Sequence, residues 1–383
     1  MGVSASVKRL AVLGSTGSIG RQTLDIVRST PGFAIVGLAA GRNVDLLAQQ
    51  VAEFHPAMVS IGDGTALLPD PLGRAERVSL EAMAASPDVD LVVVGTVGMA
   101  GLAPTLAALK AGKAVALANK EVFVMAGHLV TETARRYGGT LLPVDSEHSA
   151  IWQCLIGEAG DPWPAIDRII LTASGGAFRD LPASALAAVT PAEALRHPTW
   201  RMGDKITVDC ATLMNKGFEV IEAHWLFGYP LSQIDIMLHR ESIVHSMVAF
   251  PDGSVKAQLG TPDMRVPLQF ALTYPQRAPS PAATLDLLTA GPLTFGAVDY
   301  DQYPCLKLAL QAAHAGGTYP AVLSAADEAA VQLFLNGRIA FTEIHQRVDE
   351  ALQRHESTLD PTLDDVLEAD AWARRHVTLS LAV

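Results

Sequence analysis

Residues 9–29, RLAVLGSTGSIGRQTLDIVRS, combine a short apolar run, a glycine-rich turn and a helix-like pattern. The run RLAVL predicts a buried strand, and RQTLDIVRS has the spacing of an amphipathic helix. Between them, Gly14, Gly17 and Gly20 give G-x-x-G-x-x-G in place of the usual G-x-G-x-x-G. This order opens a βαβ unit that binds the pyrophosphate of a dinucleotide at the helix N-terminus. A plain strand–helix turn is the alternative.

The alternation of strand and helix continues along the first third of the chain. The segment VDLVVVG is a continuous apolar run bounded by turn residues, as in a parallel strand that is covered on both faces. This segment is residues 89–95, and further strands are predicted at 33–38, 57–61 and 114–119. We therefore predict an α/β fold with an N-terminal Rossmann-like, dinucleotide-binding domain over residues 1–146.

The pattern changes after this domain. The strand-like run DRIILTAS and a predicted hairpin (243–250 with 254–259) indicate a central α+β catalytic domain over residues 147–275. Several prolines in residues 276–304 predict a connecting arm without regular structure. Residues 305–383 carry helical patterns only, which predicts a C-terminal helical bundle.

Composition excludes several classes of protein. A net charge of −12 disfavours nucleic acid or an anionic membrane as the main partner. The three cysteines have no metal or redox spacing, which indicates a reducing compartment. No apolar run is long enough to span a bilayer, and the N-terminus lacks a secretory apolar region. We expect a cytoplasmic enzyme.

The end of the second predicted strand bears on the choice of cofactor. NAD sites usually place an acid there for the ribose 2′-hydroxyl, but this chain continues with Gly41, Arg42 and Asn43. An arginine without a competing acid suits the 2′-phosphate of NADP. A solvated surface arginine is the alternative.

Two carboxylates, Asp145 and Glu147, follow the apolar run 141–144. In an extended chain, residues two apart point to the same side, so both acids would face one pocket. A third acid, Glu219, lies on a predicted helix. Three converging acids repel one another unless a cation lies between them, and oxygen ligands favour Mg²⁺ or Mn²⁺ over zinc.

Other polar groups also follow predicted strands. Lys120 and Glu121 come at the end of AVALAN, where they place a cation and an anion at the sheet edge, although a surface ion pair explains them equally well. Ser174 precedes two glycines and could offer a hydroxyl and backbone N–H groups to an anion. With Lys216, which could instead form a simple helical ion pair with Glu219, it predicts a phosphate site.

The segment HPTWRMGDK, residues 197–205, contains two apolar side chains in a polar context. Trp200 and Met202 stand in a polar stretch bounded by Pro and Gly, where a core is not expected. They suit a lid, near residues 196–205, that closes over bound substrate and excludes water. The alternative is a loop docked on its own domain.

Taken together, the motifs GSTGSIG, AAGRN, ANKE, PVDSEH, SGG, HPTWRMG and MNKGFEVIEA resemble the 1-deoxy-D-xylulose-5-phosphate reductoisomerase family over nearly the whole chain. This resemblance implies conversion of 1-deoxy-D-xylulose 5-phosphate to 2-C-methyl-D-erythritol 4-phosphate in non-mevalonate isoprenoid biosynthesis. It implies NADPH, a divalent cation (Mg²⁺, Mn²⁺ or Co²⁺) and a homodimer. Other NADP-dependent dehydrogenases, of semialdehyde or homoserine type, and a non-catalytic NADPH sensor are the alternatives.

The resemblance also implies roles for individual residues. The implied cofactor-binding residues are Thr16, Gly17, Ser18, Ile19, Gly41, Arg42, Asn43, Asn119, Glu121 and Gly203. The implied metal ligands are Asp145, Glu147 and Glu219, which with Lys120 form the catalytic set. The implied substrate-binding residues are Lys120, Ser146, Glu147, Ser174, His197, Trp200, Cys210, Asn215, Lys216 and Glu219.

Three positions depart from the family pattern. Cys210 stands where serine is common at a substrate-phosphate position, and a thiol is a weak hydrogen-bond donor. Val122 replaces the serine of the usual NKES motif. Arg42 replaces a frequent lysine, which keeps the charge and permits bidentate phosphate contact.

Overall fold

The structure, a computed structural model, describes residues 7–62, 75–160 and 163–379. The strands in these ranges are β1 (Lys8–Leu13), β2 (Phe33–Ala40), β3 (Met58–Ile61), β4 (Glu76–Arg77), β5 (Leu91–Val94), β6 (Ala114–Leu117), β7 (Thr140–Pro143), β8 (Arg168–Ala173), β9 (Ile234–Leu238), β10 (Val244–Ala249) and β11 (Val255–Leu259). The α-helices are α1 (Ser18–Ser29), α2 (Val44–Phe54), α3 (Leu80–Ala85), α4 (Leu102–Lys110), α5 (Lys120–Tyr137), α6 (Ser146–Leu155), α7 (Pro191–Ala194), α8 (Asp204–Thr212), α9 (Met214–Phe227), α10 (Arg265–Thr273), α11 (Pro304–Ala315), α12 (Tyr319–Leu335), α13 (Glu343–Arg354) and α14 (Leu363–Leu379).

The chain forms two compact units, neither of which is continuous in sequence. The first unit comprises 1–122, 128–149 and 263–284. The second comprises 123–127, 150–262 and 285–383. The catalytic and C-terminal segments that the sequence separated therefore group together, and the arm at 276–304 is divided between the units.

The first unit is built on a parallel sheet with the strand order β4-β3-β2-β1-β5-β6-β7. The predicted α/β class is confirmed, and the runs predicted as strands are strands because their apolar side chains are buried. All four residues of β5, for example, are at most 1% exposed. The strand order reverses between β1 and β5, and a crevice at such a reversal is where open α/β sheets bind ligands.

The second unit contains a four-stranded sheet in the order β11-β10-β8-β9. Strands β10 and β11 form the predicted antiparallel hairpin, while β8 and β9 are parallel neighbours. The predicted helical C-terminus is also present, as α11 to α14. Within the arm, Gly296 forms an antiparallel bridge with Leu238 at the end of β9.

Helix α10 was expected in the catalytic domain, but it belongs to the first unit. Its Gln269 Nε2 donates to Thr30 Oγ1 at 3.2 Å, and Lys8 Nζ donates to the carbonyl oxygen of Leu272 at 2.6 Å. Six consecutive residues of α10, 267–272, are buried. The helix therefore completes the first unit from a distant part of the sequence. In the described part of the chain, no helix is both long and apolar enough to span a membrane.

Candidate active site

The glycine turn between β1 and α1 has the form that the sequence predicted. Gly14 has φ +85°, and a Cβ at Gly20 would lie 2.3 Å from the carbonyl oxygen of Gly14. Helix α1 can therefore approach the turn only because position 20 has no side chain. Gly17 is the N-cap residue of α1, so the helix begins beside Thr16 and Ser18 without a side-chain cap. Such a helix N-terminus suits a pyrophosphate.

A buried polar pair that the sequence analysis missed supports this turn. Ser15 Oγ donates to Gln50 Oε1 at 2.7 Å, and Gln50 Nε2 donates to the carbonyl oxygen of Ser15 at 2.9 Å. Both residues are at most 3% exposed. The reciprocal bonds tie the turn to α2. Ser15, within GSTGSIG, was the one signal in the sequence for this polar pair.

The segment after β2 lies at the same edge of the sheet. Gly41, Arg42 and Asn43 are exposed, and Asn43 caps α2 by accepting a hydrogen bond from the N–H of Leu46 at 3.1 Å. Arg42 is the first charged residue after the strand. Its position fits an anionic group bound beyond the carboxyl end of β2.

Asn119 fastens two loops at the sheet edge. Its Nδ2 donates to the carbonyl oxygen of Gly98 at 2.8 Å and contacts Thr96 Oγ1 at 3.3 Å, and the residue is 2% exposed. It directly precedes α5, whose first residues are Lys120 and Glu121. These two residues thus lie in the first turn of a helix and do not end the strand.

Asp145 and Glu147 are close together, but not for the reason given by the sequence. Strand β7 ends at Pro143 and α6 begins at Ser146, so the extended-chain argument was wrong. Ser146 instead links the two acids: its N–H donates to Asp145 Oδ1 at 3.0 Å and its Oγ to Glu147 Oε2 at 2.6 Å. One oxygen of each acid lies within 4.8 Å of the other.

Lys120 is joined to this pair of acids. Its Nζ lies 2.6 Å from Asp145 Oδ2, and the lysine side chain is 6% exposed. The partner of Lys120 is therefore an acid at the end of the neighbouring strand β7. We call Lys120, Asp145, Ser146 and Glu147 the sheet-edge group. Its carboxylate donors fit a hard divalent cation.

In the second unit, Ser174 follows β8 and contacts the predicted lid. Ser174 Oγ and His197 Nε2 are 3.0 Å apart. The Nδ1 of His197 accepts from the N–H groups of Thr199 at 3.2 Å and Trp200 at 3.0 Å. Burial, with the nearby charge of Arg179, lowers the pKa of His197 to about 4. The imidazole is therefore neutral at pH 7 with its proton on Nε2, and it donates to the serine hydroxyl.

Cys210 lies against the same loop. A Cβ at Gly176, where φ is +70°, would lie 2.4 Å from the carbonyl oxygen of Cys210, so only glycine permits this approach. Ser174, His197 and Cys210 are thus brought into one region of the second unit. Trp200 is half-buried, and its ring centroid lies 6.0 Å from that of His245.

Helix α9 presents the next group of predicted residues. Leu213, with φ +56°, separates α8 from α9 and places Asn215 and Lys216 in the first turn of α9. Asn215 Nδ2 donates to Glu219 Oε1 at 2.5 Å, and Lys216 Nζ donates to Glu219 Oε2. The helical ion pair between Lys216 and Glu219 is therefore present. Because Lys216 is 3% and Glu219 1% exposed, it is a buried pair, and each residue provides the partner without which such side chains are almost never buried.

A second buried ionic group was not predicted. Lys205 Nζ lies 2.6 Å from Asp209 Oδ2 and 3.0 Å from Asp327 Oδ2, which links α8 to α12. Burial raises the pKa of Asp327, and the lysine opposes that shift. Asp204 and Lys205, which were placed in the lid, are the first residues of α8. The segment without helix or strand is 195–203, which includes Gly203.

Family comparisons identify the chain. Models described as 1-deoxy-D-xylulose 5-phosphate reductoisomerase, its C-terminal domain, and the DXP reductoisomerase C-terminal domain match residues 10–127, 141–227 and 259–376. A 1-deoxy-D-xylulose 5-phosphate reductoisomerase of Geobacillus kaustophilus is 52% identical over 380 residues, which are 97% of this chain and 99% of that protein. The chain belongs to the 1-deoxy-D-xylulose 5-phosphate reductoisomerase family.

Other members of this reductoisomerase family agree with the assignment. A relative from Synechococcus sp. is 53% identical over 97% of this chain and 96% of its own length. A crystal structure of DOX-P reductoisomerase in complex with NADPH, fosmidomycin and magnesium has a TM-score of 0.91 at 40% identity, with 98% of each chain covered. The enzyme from Zymomonas mobilis in complex with NADPH has a TM-score of 0.90 at 40% identity, with 98% of this chain and 99% of that chain covered.

Proposed function

We propose that the protein converts 1-deoxy-D-xylulose 5-phosphate to 2-C-methyl-D-erythritol 4-phosphate, with NADPH and a divalent cation, in isoprenoid biosynthesis. The observation that carries the proposal is the match to relatives of this activity over 97% of the chain. The glycine turn and the sheet-edge group are the features of this chain that fit it. A general dehydrogenase has no need of adjacent carboxylates beside a buried lysine.

NADPH would be held at the carboxyl edge of the parallel sheet. The pyrophosphate lies at the N-terminus of α1, and Arg42 binds the 2′-phosphate. The remaining contacts that we assign to the cofactor come from Thr16, Gly17, Ser18, Ile19, Gly41, Asn43, Asn119, Glu121 and Gly203. Asn119 is already fixed by Gly98, so its backbone offers a preformed edge to the nicotinamide half.

The metal ligands in this proposal are Asp145, Glu147 and Glu219. When bound, the cation supplies Lewis acidity and the nicotinamide supplies hydride. Mg²⁺ is the expected ion, because the solved relatives carry magnesium and oxygen ligands suit it. Mn²⁺ and Co²⁺ are substitutes to be tested. Lys120 holds Asp145 in place and offers an ammonium proton at the sheet edge.

The substrate contacts divide into two sets. Lys120, Ser146 and Glu147 orient the reacting carbon chain together with Glu219, and phosphate is bound by donors of the second unit. The phosphate donors are Ser174, His197, Cys210, Asn215 and Lys216. Phosphate is remote from the reacting bonds, so its binding energy serves orientation and closure of the segment 195–203, with Trp200 as its apolar cover.

We infer that the enzyme acts as a homodimer in the cytoplasm, as the family resemblance implies. Strand β11 lies at the edge of its sheet, and three of its five residues are exposed, which is compatible with pairing between copies. Light scattering of the purified protein would establish its mass in solution.

The test is oxidation of NADPH, followed by absorbance, with 1-deoxy-D-xylulose 5-phosphate as substrate. The protein is treated with EDTA and assayed with no metal, Mg²⁺ or Mn²⁺. We expect turnover only when both substrate and metal are present. Metal-independent turnover would remove the carboxylates from the chemistry and favour a dehydrogenase. Binding of NADPH without any oxidation would favour the sensor.

A further inference from the structure

Arg179 lies beside the loop that begins with Ser174, and none of the roles assigned so far uses it. Its Nη1 donates to the carbonyl oxygen of Ser174 at 3.0 Å and to that of Arg240 at 3.1 Å. Ser174 follows β8, and Arg240 follows the parallel neighbour β9. One guanidinium nitrogen therefore joins the two loops beyond the carboxyl ends of adjacent strands.

The side chain of Arg179 is also packed under the loop. A Cβ at Gly175, where φ is +83°, would lie 2.8 Å from Arg179 Cβ. The arginine side chain is 19% exposed. Gly175 and Gly176 both have positive φ, which glycine adopts without strain, so the chain can turn tightly after Ser174. Arg179 holds the start of this loop through the carbonyl oxygen of Ser174 and links it to Arg240.

The same residue acts on His197 through its charge. Two backbone N–H groups point at Nδ1, so a proton there would break both hydrogen bonds. The positive charge of Arg179 adds to the effect of burial in opposing that proton. The other charged groups beside Arg179 are Asp180, 3.7 Å from Arg179 Nε, and Arg240, whose Nη1 lies 2.6 Å from Asp180 Oδ1. Both are mostly exposed, so Asp180 offsets the charge of Arg179 only in part.

We propose that Arg179 is a positioning residue for the substrate phosphate: it holds the Ser174 loop so that the Ser174 hydroxyl and the Nε2–H of His197 are ready to donate. It does not touch the substrate itself. The inference rests on the proposed function, because the phosphate is that of the sugar substrate. Ser174 Oγ and His197 Nε2, 3.0 Å apart, would then turn towards the phosphate oxygens without any change in the loop.

The experiment compares Arg179→Met and Arg179→Lys with the wild type in the full-length enzyme. We measure KM and kcat for 1-deoxy-D-xylulose 5-phosphate, KM for NADPH, and the inhibition constant of inorganic phosphate. For Arg179→Met we expect KM and the phosphate inhibition constant to rise together by about tenfold, with kcat and KM for NADPH within about twofold. Arg179→Lys keeps the positive charge but replaces the planar guanidinium by an ammonium on a flexible chain, so both constants should fall between those of the wild type and Arg179→Met.

Arg168→Met is the matched control. Arg168 begins β8 at the opposite end of the strand and bonds Asp167 at 2.9 Å and Asp235 at 2.8 Å. The variant Arg168→Met removes a paired arginine from the same sheet. It should leave KM for the sugar phosphate and the inhibition constant of inorganic phosphate unchanged. If Arg168→Met and Arg179→Met have equal effects, Arg179 is only a structural residue.

Nuclear magnetic resonance of the imidazole nitrogens provides a second readout that does not depend on turnover. We expect wild-type His197 to keep the Nε2–H tautomer down to pH 5, and its pKa to rise in Arg179→Met but not in Arg179→Lys. An unchanged pKa together with unchanged phosphate inhibition in Arg179→Met would overturn the inference. Failure of the wild type to turn over the substrate would refute the proposed function, while the titration would still test Arg179. If Arg179→Met does not fold, Arg179→Lys provides the test. A rise in KM for the sugar phosphate and in the inhibition constant of inorganic phosphate supports the inference, and unchanged constants overturn it.

Discussion

Both carboxylate oxygens of Glu219 are already bonded within its own helix, to Asn215 and Lys216, although the residue is 1% exposed. A buried ion pair is costly to form and contributes little net stability compared with apolar side chains of similar size. Its presence on a helix that also carries two phosphate-site candidates is explained if the carboxylate is a metal ligand. The lysine then holds the acid ionised and oriented before the metal arrives.

Glu219→Gln should lower turnover by about 10²-fold or more, because the loss of a carboxylate ligand weakens binding of the cation that would stabilise developing negative charge. The affinity for NADPH should stay within a few-fold, since no cofactor contact is assigned to Glu219. Steady-state rates and a fluorescence titration of NADPH measure the two quantities. A loss of cofactor binding as large as the loss of turnover would contradict the ligand role.

The matched control for this change is Glu328→Gln. Glu328 on α12 pairs with Arg374 at 2.8 Å, so its replacement also removes a carboxylate from an ion pair in the second unit. It should leave turnover unchanged. Glu219→Gln leaves the buried Lys216 without its counter-charge, which destabilises the fold. Thermal unfolding of both variants therefore shows whether a loss of turnover comes from the chemistry or from the fold.

Cys210→Ser should lower KM for the sugar phosphate by several-fold with little change in kcat. A hydroxyl donates a stronger hydrogen bond to a charged oxygen than a thiol does, and the gain is a fraction of the roughly 1.5–3 kcal/mol that a whole bond of this kind contributes. Initial-rate kinetics over a range of substrate concentrations measure the effect. Cys154→Ser is the control, since Cys154 is also buried but carries no assigned role. A KM that rises or stays constant would exclude Cys210 from the phosphate site.

Several contacts of single residues could not be predicted from the sequence. The acids Asp145 and Glu147 were found, but their proximity depends on Ser146 at the start of a helix, where two-residue periodicity does not apply. The bond between Lys120 and Asp145 joins residues that follow neighbouring strands, so a known strand order would have predicted it. Lys205 and Asp327 are far apart in sequence, and nothing in the local pattern connects them.

The turn between β1 and α1 depends on two glycines with different tasks. Gly14 supplies a positive φ, and Gly20 permits contact between the helix and the turn. These requirements are local, which is why the sequence predicted this element well. The limits of the predicted lid were harder to predict, since DK at 204–205 could end a loop or begin a helix, and the buried partners of Lys205 decide in favour of the helix.

Gly20→Ala should destabilise the protein by about 1–3 kcal/mol and weaken NADPH binding, because its Cβ would overlap the carbonyl oxygen of Gly14. Urea unfolding and a cofactor titration measure the two effects. Gly41→Ala is the control: a Cβ there would meet no protein atom within 4 Å. The stability of Gly41→Ala should match that of the wild type. Any loss of NADPH affinity in this variant would then come from contact between the added methyl group and the bound cofactor. Equal stability of Gly20→Ala and the wild type would refute the role of the close approach.

Over the whole molecule, the net charge of −12 contrasts with the two anionic ligands that the enzyme is proposed to bind. Phosphate recognition must therefore rest on local donors, of which Arg42 is exposed whereas Lys216 is buried. The α/β class, the hairpin and the helical C-terminus could be predicted because each follows from a local pattern. The grouping of residues 263–284 with the first unit could not, since it depends on contacts between distant segments.

Because residues 263–284 belong to the first unit, this unit cannot complete its folding in the order in which the chain is synthesised. The ribosome releases β1 to β7 early, but α10, which packs on the first unit through Gln269 and Leu272, follows only after residues 150–262 have been synthesised. Domains usually fold as they emerge, from the N-terminus onwards. In this protein, part of the apolar surface of the nascent sheet stays uncovered until α10 has been synthesised. The first unit is thus the first to be translated but cannot be finished before most of the second has left the ribosome.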